Sequence, residues 1–300
     1  MDATSSHLRI LETVSTKELS VSWKSDFGVD VSALFRGVET LELVEDPATG
    51  RISFHPPVLG DAAFYQALRR FPGYHPAQKA EHAAAATLAR PGDRILDVGA
   101  GDAGFARHVD HATYTGLESD PAAVAAARAE GVDARNATMA AWRASTEFEP
   151  ADLVTAFQVL EHVADPDAFV AEMAACAGPR GQIVIGVPDA ESYVARLPDF
   201  MLNAPPHHVT WWTERALRGV VEGAGLGVEA VQRFPVEAWE RRIWWMAKIA
   251  FWVRGGRTSP AFGRTLLAAK ALGWFGAWPL QVWIPRGAMG STLLIVARAT

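Results

Sequence analysis

Three glycines with GxGxxG spacing form the densest group of residues that could do chemistry. Gly99, Gly101 and Gly104 directly follow an apolar run of strand character. Glycines there let the backbone turn sharply and approach a ligand, and the start of a following helix offers free N–H groups. Glu118 ends the next apolar run, where a carboxylate can accept hydrogen bonds from both hydroxyls of a ribose. This spacing predicts a nucleoside site.

Asp97 stands two residues before the first glycine and narrows the choice of nucleoside. Its negative charge would lie close to the position of a pyrophosphate, which disfavours a dinucleotide such as NAD. A ligand that carries an ammonium and a sulfonium fits the charge better, and S-adenosylmethionine carries both. We therefore predict S-adenosylmethionine as the cofactor.

With these residues the sequence resembles the class I S-adenosylmethionine-dependent methyltransferases, including O-methyltransferases of the ubiquinone-biosynthesis type. The likeness rests on a strand that ends Asp-x-Gly-x-Gly at residues 97–101, on Glu118, on Asn136-Ala137, and on the run 151–162. It extends from about residue 79 to residue 234 and includes the last strand. The order of several motifs makes it specific.

The resemblance implies a set of cofactor-binding residues: Asp97, Gly99, Ala100, Gly101, Glu118, Asn136, Ala137, Phe157 and Gln158. Asp97, Gly99 and Gly101 would hold the methionine end, and Glu118 the ribose. Asn136 and Ala137 would border the adenine, while Phe157 and Gln158 would lie near the transferable methyl group. The family more often has Asp at position 136, so we expect the amide to keep an adenine-edge hydrogen bond without the charge.

Methyl transfer to an oxygen is an in-line displacement, so the protein chiefly positions the acceptor and removes its proton. His207 and His208 lie in a loop after the fifth predicted strand, over the carboxyl ends of the sheet, where open α/β folds bind ligands. We predict His208, or failing it His207, as the catalytic base. The alternative is that both are loop histidines whose hydrogen bonds are satisfied within the fold.

A metal site is the other use that the histidines could serve. Metal-dependent O-methyltransferases of this superfamily hold Mg²⁺ with a Glu-x-x-Glu-His turn and a later histidine, but Gln158 replaces the first glutamate here. Loss of one carboxylate weakens a site for a hard cation. We therefore expect no functional metal, with Glu161, His162 and His208 as the remaining candidates. The alternative for the first two is a local pair beside the cofactor.

The elements that position these residues follow an alternating pattern from residue 94 to residue 234. Short runs rich in Val, Ile, Leu and Thr alternate with Ala-rich helical segments. This pattern predicts a doubly wound α/β fold, a Rossmann-like sheet of seven strands whose last strand is antiparallel. Residues 1–78 form an N-terminal extension, of strands and turns up to about residue 60, and 79–300 form the methyltransferase domain.

Residues 237–290 are predicted to be a helical insertion or cap within that domain. Eight Arg or Lys residues and no Asp or Glu occur between residues 241 and 290. Seven of the eleven tryptophans lie within this stretch or directly beside it. Aromatic and cationic residues together suit the surface of a membrane, and residues 241–286 are the predicted contact. A pair of helices that covers an acceptor pocket is the alternative. Neither apolar run there reads as a membrane span.

Composition limits the other function classes. The net charge of −6 gives no overall reason to bind nucleic acid, and one cysteine excludes a disulfide framework. The first twenty residues carry no apolar core of a secretion signal, so we predict a cytoplasmic protein, with contact at the inner face of the membrane as an option.

The predicted function is O-methylation of a hydroxyl on a small molecule, a glycan, or a lipid-linked or quinone-like acceptor. N-methylation and a nicotinamide-dependent reduction are the enzymatic alternatives, and Asp97 speaks against the second. A binding module at the membrane surface that retained the cofactor fold without catalysis is the alternative from another class.

Overall fold

The structure is a computed structural model that describes residues 8–71, 79–197, 200–253 and 267–299. The strands are β1 (Arg9–Ser15), β2 (Thr40–Glu45), β3 (Ile52–His55), β4 (Arg94–Val98), β5 (Thr113–Leu117), β6 (Ala134–Arg135), β7 (Ala151–Phe157), β8 (Ala177–Pro188), β9 (Thr210–Trp211), β10 (Leu226–Pro235) and β11 (Met289–Ala299). The helices are α1 (Thr16–Phe27), α2 (Ala62–Arg69), α3 (Ala80–Ala86), α4 (Pro121–Ala129), α5 (Met139–Arg143), α6 (Pro166–Cys176), α7 (Glu214–Gly223), α8 (Arg241–Val253) and α9 (Leu267–Leu280).

The chain divides into two compact units, neither of which is continuous in sequence. The first unit consists of Met1–Pro76, Pro188–Ala216 and Arg233–Thr292. The second consists of Ala77–Val187, Leu217–Gln232 and Leu293–Thr300.

The first unit contains a four-stranded sheet in the order β1-β2-β3-β9, with antiparallel pairing throughout. Leu41, Leu43 and Phe54 point from it into a core that also contains Trp23 and Phe64. The indole of Trp23 is fully buried, and its N–H donates to the carbonyl of Pro205 over 2.8 Å. This bond satisfies the one polar side-chain atom of Trp23, one of the two tryptophans buried in that core.

Helix α1 lies where strands and turns were predicted. The side chain of Ser15 accepts the N–H of Glu18 at its start, and Gly28 ends it in the left-handed conformation with φ 70°. Leu19 and Trp23, one turn apart, are both buried, so a helical face supplies the core contact. The helix was not predicted because the short apolar runs of this region obscure the four-residue spacing of Leu19 and Trp23.

The second unit is built on a seven-stranded sheet in the order β10-β11-β8-β7-β4-β5-β6. Strands β4 to β8 are parallel, and the sheet is completed by an antiparallel late strand, which confirms the predicted fold class. Helices connect the parallel strands in the manner of a doubly wound fold. Asp97 of β4 pairs in register with Gly116 of β5 on one side and with Thr155 of β7 on the other.

Helices α8 and α9 pack against each other in the first unit. Gly276 of α9 allows the close approach, since a Cβ at this position would lie 3.0 Å from Cδ1 of Ile249. Pro279 lies in the last turn of α9. Among the residues that the structure describes, no helix has the length and apolar character to cross a bilayer.

Candidate active site

The glycine loop leaves β4 with the backbone in the left-handed region at Gly99 (φ 72°) and at Gly101 (φ 58°). Two backbone N–H groups, those of Gly99 and Ala100, donate to the carbonyl of Leu117 at 2.8 and 3.0 Å. The loop is therefore tied to the end of β5 by its own backbone. It continues into a short 3₁₀ helix, Gly104–His108, where the sequence predicted a helix.

Close packing around the loop explains why glycine is required at position 99 in the loop and at position 116 in the neighbouring strand β5. A Cβ on Gly99 would lie 2.5 Å from Cγ2 of Val159, and a Cβ on Gly116 would lie 2.9 Å from the Cβ of Ala100. Around Gly101 no heavy atom comes within 4 Å of such a position, so the side of the loop at Gly101 is open. Sequence reasoning missed Gly116, although a glycine inside a predicted strand is itself a sign of close backbone approach.

Asp97 is buried between two hydroxyl donors. Thr155 donates to Oδ1 and Tyr114 donates to Oδ2, each over 2.7 Å. Burial raises the pKa of Asp97 to about 6, against the lowering effect of the two hydrogen bonds. The carboxyl group is therefore held in one orientation at the end of β4.

Glu118 is oriented by three donors. Its Oε2 accepts the N–H of Gly101 over 2.9 Å, and its Oε1 accepts the N–H of Asp120 over 2.8 Å and the hydroxyl of Ser119 over 3.2 Å. The carboxylate thus connects the glycine loop to the turn before α4. A carboxylate fixed in this way suits the two hydroxyls of a ribose.

Asn136 follows β6 and ties this strand to the turn after β5. Its Nδ2 donates to the carbonyls of Glu118 and Ser119, both at 2.9 Å. With both amide protons engaged, Oδ1 is the atom suited to accept from an adenine amino group. Ala137 comes next and is partly exposed.

Gln158 has a left-handed backbone, with φ 56°, directly after β7. Its Nε2 lies 3.2 Å from both carboxylate oxygens of Glu81 in α3, and its N–H donates to the carbonyl of Gly186 over 2.8 Å. Glu81 is buried, with 2% of its surface exposed. The amide that stands in the position of a metal-binding glutamate is therefore hydrogen-bonded to a buried carboxylate.

Phe157 belongs to a buried aromatic group with His82 and Phe105. Its ring centroid is 4.7 Å from that of His82 and 5.0 Å from that of Phe105. Burial, with the charges of Lys79 and His108, lowers the pKa of His82 to about 3. This histidine is neutral at physiological pH and serves as a packing surface. Sequence reasoning missed Glu81 and His82, and their adjacency within an alanine-rich run was the available signal.

Glu161 and His162 form the 3₁₀ turn after β7, and Nε2 of His162 is 3.9 Å from Oε1 of Glu161. Burial, reinforced by the charge of Glu81, raises the pKa of Glu161 to about 8. The protonated form that burial favours would have to release its proton before this carboxyl group could bind Mg²⁺. The prediction that no metal is needed stays a prediction.

His207 and His208 are both buried in the first unit, with their rings stacked at 4.4 Å. Nδ1 of His207 lies 2.7 Å from the carbonyl of Leu202, and Nδ1 of His208 lies 3.0 Å from Oδ1 of Asn203. Because both partners are acceptors, each Nδ1 carries the proton and each Nε2 is the basic nitrogen. His207 also packs against aromatic residues, namely Trp23, Phe64 and Tyr65.

A cavity of about 350 Å³ lies in the first unit beside α8. Its lining includes the rings of Tyr193 and Trp244, the cations Lys248 and Arg286, and the acid Glu191, which is paired with Arg233 at 2.9 Å. Such a lining suits an amphipathic ligand that carries an acidic or strongly polar group. The sequence pointed to a pocket under the predicted cap but not to these residues.

Glu240 orients Tyr193, one of the residues that line this cavity. It is 2% exposed, and its Oε1 accepts the hydroxyl of Tyr193 over 2.9 Å and the N–H and hydroxyl of Ser291 at 2.8 and 2.6 Å. Its Oε2 accepts the N–H of Glu237 over 2.9 Å. Four donors compensate the cost of burying this side chain.

The seven-stranded sheet, the glycine loop after β4 and the acid after β5 are the features of a Rossmann-like doubly wound α/β fold. The family described as "Methyltransferase domain" matches residues 68–231, which is more than half of the chain. The chain belongs to this family and is an S-adenosylmethionine-dependent methyltransferase.

Solved structures with similar folds are distant in sequence. A methyltransferase from Thermotoga maritima has 16% identity and a TM-score of 0.48, covering 73% of this chain and 88% of its own. A methyltransferase from Mesorhizobium loti has 18% identity and a TM-score of 0.47, covering 74% and 100%. The cyclase SpnF has 18% identity and a TM-score of 0.47, covering 95% and 97%. No curated protein sequence matches the chain.

Proposed function

We propose that the glycine loop and Glu118 bind S-adenosylmethionine and that the enzyme transfers its methyl group to a hydroxyl of an amphipathic acceptor. The observation that carries the choice of oxygen is the hydrogen bond from Nδ1 of His208 to Oδ1 of Asn203, 3.0 Å long. It makes Nε2 the basic nitrogen of a buried ring, as a general base requires.

The residues of the second unit fit the cofactor. The open side of the loop at Gly101 gives a ligand access to the backbone, and Glu118 is oriented for the ribose hydroxyls. The carboxylate of Asp97 would attract the ammonium group of the methionine end. Oδ1 of Asn136 would accept a hydrogen bond from the adenine amino group, and Ala137 would border the adenine ring. Phe157 and Gln158 would border the methyl group. S-adenosylmethionine supplies the activated carbon when bound, and these residues hold it in position.

The need for a base separates oxygen from nitrogen as the acceptor atom. A hydroxyl is a weak nucleophile until its proton is removed, whereas a neutral amine attacks with its own lone pair. A histidine with a fixed tautomer therefore supports O-methylation. If His208 fails in this role, His207 has the same tautomer at a second buried position.

The lining of the cavity supports an acceptor with an apolar body and a polar or acidic group. Tyr193 and Trp244 offer aromatic faces, and Lys248 and Arg286 offer positive charge. A small phenolic acid, an acidic glycan, or a lipid-linked or quinone-like hydroxyl would meet this description.

The test measures formation of S-adenosylhomocysteine with a panel of hydroxyl and amine acceptors. We expect turnover with a hydroxyl acceptor, and we expect His208→Ala to lower it by about 100-fold while the affinity for S-adenosylmethionine stays unchanged. His55→Ala, which changes an exposed histidine of β3, is the matched control. Turnover with amines alone would replace the proposal by N-methylation. Full activity of His207→Ala and of His208→Ala would make both histidines structural.

A further inference from the structure

We infer that helices α8 and α9 dock the enzyme on an anionic lipid surface, with the aromatic face of α9 inserted among the head groups. The inference concerns a partner and goes beyond the proposed chemistry.

Large apolar side chains are exposed on one side of α9. Trp274 is 49% exposed, Phe275 is 76% exposed and Trp278 is 63% exposed. At the helical period of 3.6 residues these positions span about 100° of the helix. Gly276, which faces Ile249 of α8, lies outside this arc. Trp274 and Trp278 contact Arg242 of α8 with part of their rings and expose the rest.

Further large apolar residues are exposed at the ends of both helices. Trp252 at the end of α8 is 86% exposed, and Val282 and Trp283 after α9 are 80% and 59% exposed. Such residues are normally scattered singly over a protein surface, whereas here they concentrate on one pair of helices. Indole rings in particular favour the boundary between membrane and water.

Positive charge accompanies the apolar side chains. The guanidinium of Arg242 lies 3.5 Å from the ring centroid of Trp274 and 4.9 Å from that of Trp278. Its Nε and Nη2 are buried and have no hydrogen-bond acceptor among the described residues, so the two rings are the main partners of this cation. Arg241 is exposed on α8 one residue earlier.

Charge complementarity selects an anionic bilayer as the occupant. Eight Lys or Arg residues and no Asp or Glu occur between residues 241 and 290, in a chain whose net charge is −6. An apolar face with cations beside it meets both the acyl boundary and the head groups of such a surface. Residues 254–266, which include Arg254 and Arg257 of the predicted contact segment, lie outside the described residues.

Flotation with vesicles tests the inference on the full chain. We expect binding to vesicles of phosphatidylcholine with phosphatidylglycerol, little binding to phosphatidylcholine alone, and weaker binding at 0.5 M than at 0.05 M salt because screening shortens the reach of the charges. Tryptophan fluorescence should be quenched by brominated lipids. Binding equal on both vesicle types, or none on either, would overturn the inference.

Two variants localise the contact. Combined Trp274→Ser, Phe275→Ser and Trp278→Ser should abolish binding, and Arg241→Glu should weaken it by about fivefold or more, from about 1 kcal/mol per charge near an anionic surface. The matched controls change exposed residues of the first unit outside the helix pair, Ile10→Ser and Lys17→Glu, and should bind as the wild type does.

Two further measurements on the same variants complete the test. Titration with S-adenosylmethionine should give wild-type affinity, so a failure of docking is distinguished from a failure of the proposed function. Sedimentation velocity addresses a second copy of the chain as the occupant. A wild-type dimer that the triple serine variant dissociates, with no vesicle binding, would overturn the inference in favour of self-association.

Discussion

The backbone N–H of Gly101 donates to Oε2 of Glu118 over 2.9 Å. This bond joins the two features from which a nucleoside site was predicted, the glycine loop after β4 and the acid after β5. Because the same carboxylate also accepts the N–H of Asp120, it joins the loop to the start of α4.

Glu118→Ala should weaken the binding of S-adenosylmethionine by about 5- to 150-fold, since two hydrogen bonds to a charged group contribute about 1 to 3 kcal/mol. Isothermal titration calorimetry measures the effect. Glu130→Ala is the control, because Glu130 is an exposed acid of the same unit that pairs with Arg107. Equal affinities of the two variants would remove Glu118 from the cofactor site.

Gly99→Ala should destabilise the second unit and abolish cofactor binding, because the new Cβ would meet Cγ2 of Val159 at 2.5 Å. Gly131→Ala is a matched control with a similar positive φ, 82°, and no heavy atom within 4 Å. Both variants carry backbone strain of about 1 kcal/mol, and only the first adds a clash. Thermal unfolding separates them. Adding Val159→Ala should partly restore Gly99→Ala, and equal melting temperatures of the two glycine variants would contradict this account.

Asp97 should make stability depend on pH. Its pKa is raised by burial from 3.8 to about 6 in the folded protein, so the native state holds a proton that the unfolded chain releases. This contribution to stability is fully present below pH 3.8 and is lost as the pH rises through 6. Relative to Asp97→Asn, the wild type should lose up to about 3 kcal/mol of unfolding free energy between pH 4 and pH 7. Urea titrations that give parallel pH profiles for the two proteins would contradict the shift.

Glu240→Gln should lower the free energy of unfolding by about 2 to 4 kcal/mol, because an amide cannot accept from all four donors that now converge on the carboxylate. Chemical denaturation followed by tryptophan fluorescence measures the loss. Glu39→Gln, at an exposed position of the first unit, should have little effect. If Glu240→Gln lowered the free energy of unfolding as little as Glu39→Gln does, the hydrogen bonds around Tyr193 would contribute little to stability.

Local patterns were sufficient to predict the centre of the second unit. An apolar run, three glycines and an acid at the end of the next run describe β4, the loop and Glu118, and all of these lie within 25 residues (94–118). Parallel strands buried on both faces have continuous apolar runs, so the sheet was visible as well. The residues that determine this part of the fold are close together in the sequence.

Contacts between distant segments could not be predicted in the same way. Strand β9 has two residues, and only its pairing with Ile52 and Ser53 of β3 identifies it as a strand. The engagement of Gln158 by Glu81 joins residues 77 positions apart. Helix α1 was missed because its periodicity of apolar residues is carried by few positions. In each case tertiary contact decides what local propensity leaves open.

The central claim is that the loop between β4 and β5 binds S-adenosylmethionine, and calorimetric titration of the wild-type chain tests it most directly. We expect one molecule of S-adenosylmethionine to bind per chain, NADH not to bind, and Gly99→Ala to remove the binding signal. Binding of NADH without binding of S-adenosylmethionine would contradict the claim, because Asp97 and Glu118 would then hold a dinucleotide.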